Sequence, residues 1–258
     1  MANSLKSTGG SAVLSTPSSS AVTTGLEQII YVGGGKGGIG KSRESLALVD
    51  YNETRGIKTL AFDGDLENPT LRRFIDDALP LASQVADGHK AVIAAMEEHS
   101  AQRIIVDLGA GTQRQLAEFD RVMGIAEAAK YFKYTPVLVW VLAPHKDSIG
   151  LLREAIRAHK KEDGWKLVIA RASYEHGSWS LWDNSDTKKE VEQEGPEMYD
   201  IPMLDADAFT ACDGADLRWR DANRETLKYC DASYAMRWWA ARLVQFDQSR
   251  NLTALKKA

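Results

Sequence analysis

The stretch Ile29-Ile-Tyr-Val-Gly-Gly-Gly-Lys-Gly-Gly-Ile-Gly-Lys-Ser42 decides the fold of this chain. It begins with four apolar residues, as a buried strand does, and ends in the pattern G-x-x-x-x-G-K-S between Gly35 and Ser42. Glycines let consecutive backbone N–H groups turn inward around phosphate oxygens, and the helix that follows adds the positive end of its dipole. The pattern therefore predicts a phosphate-binding loop between a strand and a helix.

The loop residues have separate predicted roles at a bound nucleotide. The ammonium group of Lys41 would reach the β- and γ-phosphates, and the hydroxyl of Ser42 would coordinate Mg²⁺. The residues predicted to contact the nucleotide are Gly35, Lys36, Gly37, Gly38, Ile39, Gly40, Lys41, Ser42 and Arg43.

Short apolar runs alternate with longer stretches of helical spacing along the rest of the chain. The runs predicted as strands are 29–32, 59–62, 104–106, 137–142 and 167–170. The stretches predicted as helices are 43–53, 81–98, 113–131 and 147–161, with two more helices within 213–248. This alternation indicates an α/β fold: a doubly wound, mostly parallel sheet with helices on both faces.

The domain prediction is a single nucleotide-binding domain over residues 26–250. Residues 1–25 hold seven Ser, four Thr and one charged side chain, so we expect a flexible tail there. Residues 251–258 are predicted to be a second, short tail.

Composition excludes several classes of protein. The formal net charge of −4 gives no general basic field for nucleic acid, and no apolar run approaches the ~18 residues of a membrane helix. Cys212 and Cys230 have no metal-ligand spacing, and neither do the five histidines. A reducing, cytoplasmic location fits this cysteine usage.

Acidic residues follow two of the predicted strands and complete the site. Asp63 and Asp65 end the run 59–62, and Asp107 ends the run 104–106. Hydrolysis of a nucleotide needs groups that place Mg²⁺ and water, and carboxylates at strand ends supply them. We therefore predict that these acids lie beside the phosphate loop.

Lys36-Gly-Gly-Ile-Gly-Lys-Ser42 resembles the deviant Walker A signature K-G-G-x-G-K-[ST] of the ParA/MinD family of ATPases. The resemblance implies a homodimer when ATP is bound, in which Lys36 reaches the partner's ATP and acts in catalysis with Lys41. Many members carry a second Thr after the motif, where this chain has Arg43.

The acidic motifs carry the same resemblance. Asp63-Gly-Asp65 resembles the D-x-D switch I motif, which implies that Asp63 supports the metal region and that Asp65 orients the attacking water. The run that ends in Asp107 resembles a Walker B strand, and Asp-Leu-Gly-Ala-Gly after it resembles switch II. The implied metal residues are Ser42, Asp63 and Asp107.

The base is predicted to be adenine. The Asn-Lys-x-Asp motif with which GTPases usually read guanine does not occur in the sequence, and this favours ATP. In relatives an Asn or Arg after the strand equivalent to 167–170 lies beside the adenine, which makes Arg171 the candidate here, with an ordinary surface arginine as the alternative.

The expected function is an ATPase cycle that positions or assembles an unidentified protein partner. Short stretches, 63–71 and 201–205, resemble plasmid conjugal-transfer and mobilisation ATPases of the TraL type. Residues 251–258 lack the bulky apolar side chains of the membrane-targeting tail of MinD-type proteins, so no membrane anchor is evident.

Three alternative functions stay open at this point. A ParA-like DNA segregation ATPase needs a basic surface, for which one predicted helix face offers candidates. These are Arg153, Arg157, Lys160 and Lys161, for which a solvated face is the default interpretation and a patch for DNA or an acidic partner is the alternative. A P-loop protein kinase shares strand-end aspartates, although the usual C-terminal tyrosine cluster is missing. A nucleotide-gated scaffold without hydrolysis is disfavoured by the presence of Asp65 and Asp107.

Overall fold

The computed structural model describes residues 27–35, 37–172 and 178–254, and these build one seven-stranded sheet. The strands are β1 (Gln28–Gly34), β2 (Thr59–Asp63), β3 (Leu79–Pro80), β4 (Arg103–Asp107), β5 (Thr135–Leu142), β6 (Lys166–Ala172) and β7 (Glu197–Ile201). Their order is β3-β2-β4-β1-β5-β6-β7, and every neighbouring pair is parallel. All their carboxyl ends therefore lie at one edge.

Helices connect the strands and cover the sheet. In the described ranges they are α1 (Lys41–Thr54), α2 (Thr70–Phe74), α3 (Lys90–Glu97), α4 (Gln113–Met123), α5 (Ile125–Tyr131), α6 (Lys146–Ala158), α7 (Ser180–Asp183), α8 (Asp186–Glu194), α9 (Ala206–Gly214) and α10 (Tyr229–Gln248). Short 3₁₀ turns occur at Ala86–His89, Lys161–Asp163 and Trp219–Asp221.

Strand β1 is buried on both faces because its side chains alternate between two apolar cores. Ile30 and Val32 belong to the core that includes residues of α1 and α10. Ile29 and Tyr31 belong to the opposite core, which includes residues of α3, α4, α5 and α6. This arrangement confirms the predicted α/β fold with helices on both faces.

Several predicted elements were wrong in extent. The predicted helix 81–98 is helical only at its end, as α3, after a loop and a 3₁₀ turn. The predicted helix 113–131 divides into α4 and α5 at Gly124, whose φ of 68° is left-handed. Within 213–248 only α10 is a full helix, since α9 ends at Gly214. Strands β3 and β7 were missed because one is two residues long and the other alternates in burial at the sheet's edge.

The chain after α10 packs against the domain as far as it is described. Arg103 is fully buried and donates 2.7 and 2.6 Å hydrogen bonds to the carbonyl oxygens of Leu252 and Thr253. The N–H of Ala254 donates to the hydroxyl of Tyr51. The predicted tail over residues 1–25 lies outside the described residues, and so do residues 255–258 of the tail predicted over 251–258. Among the helices that are described, none has the length and hydropathy to cross a membrane.

Candidate nucleotide-binding site

The parallel sheet brings the phosphate loop and the three predicted acids to the same edge. Asp107 ends β4 and is the register partner of Val32 on one side and of Asp63 on the other. The loop leaves β1 two residues after Val32, at Gly34, which ends the strand. Motifs from three separate parts of the sequence therefore meet at the carboxyl ends of adjacent strands, as ligand sites in α/β sheets do.

The loop enters α1 in the geometry that anion binding needs. Gly40 precedes the helix with a φ of 88°, a left-handed conformation that glycine adopts without strain. Gly40 has no side chain with which to cap this helix, so no N-cap side chain occupies the space in front of its first backbone N–H groups. Space beside the loop is open, because a Cβ on Gly38 would meet no heavy atom within 4 Å. A phosphate group fits this uncapped, open helix start.

Lys41 is buried at the start of α1 and lies close to the acids. Only 7% of the residue is exposed, and this burial lowers the pKa of its ammonium group. The charges of Asp107 and Asp65 oppose that shift, which places both carboxylates near the lysine. The second predicted lysine, Lys36, lies outside the described residues.

Asp107 is a buried carboxylic acid held by two serines. Burial raises the pKa of its carboxyl to about 7, and hydrogen bonds from Ser42 and Ser45 act in the opposite direction. The Ser45 hydroxyl donates to Oδ1 over 2.9 Å. A carboxyl with a pKa near neutrality is poised to ionise when a cation arrives beside it.

Asp63 orders the loop that carries Asp65. Its Oδ1 accepts a 3.0 Å hydrogen bond from the backbone N–H of Asp65, and its Oδ2 accepts one of the same length from Arg72 in α2. Asp65 is partly exposed and its Oδ1 accepts from the backbone N–H of Asn68. Asp63 is thus an internal cap for α2, and Asp65 is the acid of the pair that solvent can reach.

The loops after β2 and β4 touch through their backbones. The N–H of Gly64 donates a 2.8 Å hydrogen bond to the carbonyl of Asp107. A Cβ added at Gly109 would lie 2.7 Å from the carbonyl oxygen of Gly64, so only glycine allows this approach. Ser83 donates a 2.6 Å hydrogen bond to that same oxygen. Movement in one loop must therefore disturb the other.

The donor set around the loop suits Mg²⁺. Ser42, Asp63, Asp65 and Asp107 supply hard oxygen donors, which Mg²⁺ prefers. The described residues hold no group of three or more acidic, histidine or cysteine side chains that could bind a metal by themselves. Mg²⁺ is normally held by one or two protein groups together with water and phosphate oxygens, so the residues fit an ion that arrives with a nucleotide.

The two predicted arginines are engaged with protein groups. The guanidinium of Arg43 lies 4.8 Å from the ring centroid of Phe74 and 4.7 Å from that of Phe209. Its partner carboxylate is Asp213. Arg171 is the second-last residue of β6 and donates 2.6 and 2.7 Å hydrogen bonds to Asp200. Any contact of either guanidinium with a nucleotide would be made beside these existing partners.

The basic helix face considered for DNA is partly neutralised. Arg153 and Arg157 both pair with Glu190 of α8, and Lys160 pairs with Glu162. The two arginines hold the pKa of Glu190 down to about 2. Three of the four cations thus have acidic partners, which weakens the case for a free phosphate-binding stripe.

Sequence reasoning missed the residues that support the acids. Ser45 holds Asp107, Ser83 holds Gly64, and the backbone of Arg72 holds Asp63. Ser45 had a signal, since its position four residues after Lys41 places both on one side of α1. Ser83 and Arg72 had none, because their contacts depend on how a loop folds back.

The chain resembles known proteins in sequence and in structure. It is 24% identical over 183 residues to protein MobD of Acidithiobacillus ferrooxidans, in a match that covers 69% of this chain and 78% of that protein. No protein-family model matches the chain. It superposes on a chain of the MinC:MinD cell division protein complex of Aquifex aeolicus with a TM-score of 0.50 and 15% identity, covering 84% of this chain and 96% of the other.

A second solved structure is the septum site-determining protein MinD of Pyrococcus horikoshii in complex with Mg-ADP. The TM-score is 0.49 at 16% identity, over 88% of this chain and 99% of that one. The superposition on the Aquifex aeolicus chain confirms the predicted α/β fold, which is similar to the fold of MinD.

Proposed function

We propose that this protein is a Mg²⁺-dependent ATPase whose ATP-bound form is a homodimer that positions or assembles a protein partner. The observation that carries the proposal is the meeting of an uncapped, glycine-rich helix start with Lys41, Asp65 and Asp107 at one sheet edge. A nucleotide site without hydrolysis would need Asp107 for Mg²⁺ but would not need Asp65.

Each residue of the site has a distinct task in this proposal. The N–H groups that begin α1 and the ammonium of Lys41 bind the phosphates. Ser42 and Asp107 would hold Mg²⁺, which supplies positive charge to the β- and γ-phosphates when bound. Asp63 keeps the loop in place, and Asp65 orients the attacking water and accepts its proton.

The dimer is proposed from the resemblance of the loop rather than from any contact. Lys36 is assigned to the nucleotide of the partner subunit, because two ammonium groups on one triphosphate repel each other. A role in plasmid transfer or mobilisation is proposed on the resemblance of residues 63–71 and 201–205, and DNA and protein are both retained as partners to be tested. The reducing cytoplasm remains the proposed location.

Calorimetry with Mg-ATP and Mg-GTP tests the nucleotide assignment. Wild type should bind ATP and release phosphate, and Lys41→Ala should lose measurable affinity, because a buried ammonium is removed from the phosphates. Lys90→Ala, an exposed lysine paired with Asp87, is the matched control and should bind as wild type does. Equal affinity of Lys41→Ala and wild type would refute the site, and a preference for GTP would refute the choice of base.

A further inference from the structure

Asp213, in the last turn of α9, pairs with two arginines that come from different helices. Arg43 lies in the first turn of α1, directly after the phosphate loop, and Arg73 lies in α2, directly after the loop of Asp63 and Asp65. Arg73 also forms an ion pair with Asp216, in which Nε lies 2.8 Å from the carboxylate. One carboxylate from a distant part of the sequence therefore joins the two helices that flank the site.

Aromatic rings fix the geometry of this cluster. Phe74 contacts both cations, with its ring centroid 4.8 Å from the Arg43 guanidinium and 4.5 Å from that of Arg73. The ring centroids of Phe209 and Trp219 lie 4.7 and 5.3 Å from the Arg43 guanidinium. Guanidinium groups stack well on aromatic faces, so the arginines are oriented before they meet Asp213.

The two arginines repel each other without that carboxylate. Burial is the main cause that lowers the pKa of Arg43 to about 10, and the positive charge of Arg73 lowers this pKa further. Asp213 is the acid that both guanidinium groups contact. Its removal would leave two like charges facing each other across the α1–α2 contact.

Helix α2 is also the helix that holds Asp63. The backbone N–H of Arg72, the neighbour of Arg73, donates a 3.0 Å hydrogen bond to Oδ2 of Asp63. The other oxygen of Asp63 accepts from the N–H of Asp65. A shift of α2 away from α1 would therefore pull on the carboxylate that orders the acidic loop.

We infer that Asp213 is a positioning residue for the metal side of the nucleotide site. By holding Arg43 and Arg73 together it fixes α2 against α1, and α2 fixes Asp63 and Asp65. The inference rests on the proposed function in so far as it assigns those acids to Mg²⁺, but the fixing of α2 is a property of the protein without nucleotide.

The test compares Asp213→Asn with Asp216→Asn as a matched control. Asp216 also pairs with Arg73, but its side chain is more exposed than that of Asp213, and within the described residues it forms no ion pair with Arg43. The first measurement is hydrogen exchange of the Asp65 and Arg72 amides in the nucleotide-free protein. Asp213→Asn should raise exchange there by about tenfold or more while the amides of α1 stay protected, and Asp216→Asn should not.

The second measurement is the affinity for a fluorescent ADP analogue with Mg²⁺ and with a chelator. The gain is the ratio of the affinity with Mg²⁺ to the affinity with chelator. In Asp213→Asn this ratio should be about fivefold or more lower than in wild type, while the affinity with chelator stays the same. Asp213→Glu should restore part of the gain. Adding Arg73→Ala to Asp213→Asn should also restore part of it, because the repelling charge is gone.

The outcomes separate the inference from the proposed function. Unchanged hydrogen exchange of the Asp65 and Arg72 amides in Asp213→Asn would overturn the inference. Equal losses of nucleotide affinity with Mg²⁺ and with chelator would also overturn it, because they would indicate a merely structural role. If wild type binds no nucleotide, the proposed function fails, and so does the assignment of Asp213 to a metal site. Faster exchange at Asp65 and Arg72 would in that case still show that Asp213 fixes α2.

Discussion

The hydroxyl of Ser45 donates a 2.9 Å hydrogen bond to the carboxylate of Asp107, which lies 62 positions further along the chain. Ser45 follows Lys41 by one helical turn, so α1 carries both the lysine of the phosphate loop and a group that holds the buried acid. The helix proposed to bind phosphate thus also holds the acid at the end of β4, and this relationship gives the first prediction.

Ser45→Ala should weaken Mg²⁺-dependent nucleotide binding. Asp107 would keep only Ser42 as a hydroxyl donor, and a lost hydrogen bond to a charged group costs roughly 1.5 kcal/mol, or about tenfold in affinity. Titration with Mg-ADP and with ADP plus chelator measures this. Ser233→Ala is the matched control, since the hydroxyl of Ser233 donates to the carbonyl of Tyr229, four residues earlier in its helix, rather than to a carboxylate. Similar losses in both variants would contradict the assignment.

Asp65→Asn should bind Mg-ATP but hydrolyse it slowly. The amide keeps the shape of the side chain but cannot accept the proton of an attacking water, and loss of such a group costs about 10²–10⁴-fold in rate. The loss should fall on kcat, with KM nearly unchanged. Glu67→Gln is the control, because Glu67 is an exposed acid of the same loop. Turnover of Asp65→Asn within about twofold of wild type would exclude the role.

The fold and the location of the acids could be predicted because they depend on local patterns. Apolar runs such as 137–142 are buried on both faces, and their carboxyl ends must meet at one edge in a parallel sheet. Helix ends were less predictable, as Gly124 shows: the apolar periodicity continues through 113–131, but a left-handed glycine divides the helix.

The supports of the site could not be predicted because they join distant segments. Asp213 contacts Arg43 across 170 positions, and no local pattern around either residue indicates the other. Arg43 itself was predicted to contact nucleotide from its place in the motif alone. Its side chain packs among rings contributed by α2, by α9 and by the turn at Trp219, and that packing depends on the tertiary fold.

Stability should fall in mild acid because of His89. This histidine is fully buried between the rings of Tyr31 and Phe119, and neither ring nitrogen has a hydrogen-bond partner in the described structure. Burial lowers the pKa of the imidazole to about 4 from its usual 6.5. Between these pH values the unfolded chain therefore binds a proton at His89 and the folded chain does not. The free energy of unfolding is consequently unaffected by His89 above pH 6.5 and decreases as the pH falls towards 4.

The expected loss is roughly 3 kcal/mol of unfolding free energy over that range. Urea titrations of wild type and His89→Phe at several pH values measure it, and the variant should have the smaller pH dependence. Asp50 has the opposite effect on the pH dependence of stability, since burial raises its pKa to about 6. Because Asp50 is present in both proteins, its effect cancels when wild type and His89→Phe are compared. His99→Asn, at an exposed histidine, is the control. Parallel curves for wild type and His89→Phe would refute the prediction.

Lys36→Ala should separate nucleotide binding from dimer formation. In the proposed site Lys41 and the N–H groups of α1 already bind one triphosphate, so a second ammonium on the same phosphates would add repulsion. If Lys36 serves the partner's nucleotide, the variant should bind ATP within about threefold of wild type as a monomer. It should neither dimerise nor hydrolyse. Sedimentation with a non-hydrolysable ATP analogue measures the dimer, and Lys90→Ala, at an exposed lysine of α3, should dimerise as wild type does.

Two results of that sedimentation experiment would contradict the dimer mechanism. One is a wild type that stays monomeric with the analogue at protein concentrations where a dimer of about micromolar affinity would form. The other is normal dimerisation of Lys36→Ala. In either case Lys36 would act on the nucleotide of its own subunit or on none, and the proposed cycle would reduce to nucleotide binding by a single chain. A variant that binds ATP, stays monomeric and releases no phosphate would instead place the catalytic role of Lys36 across the subunit interface.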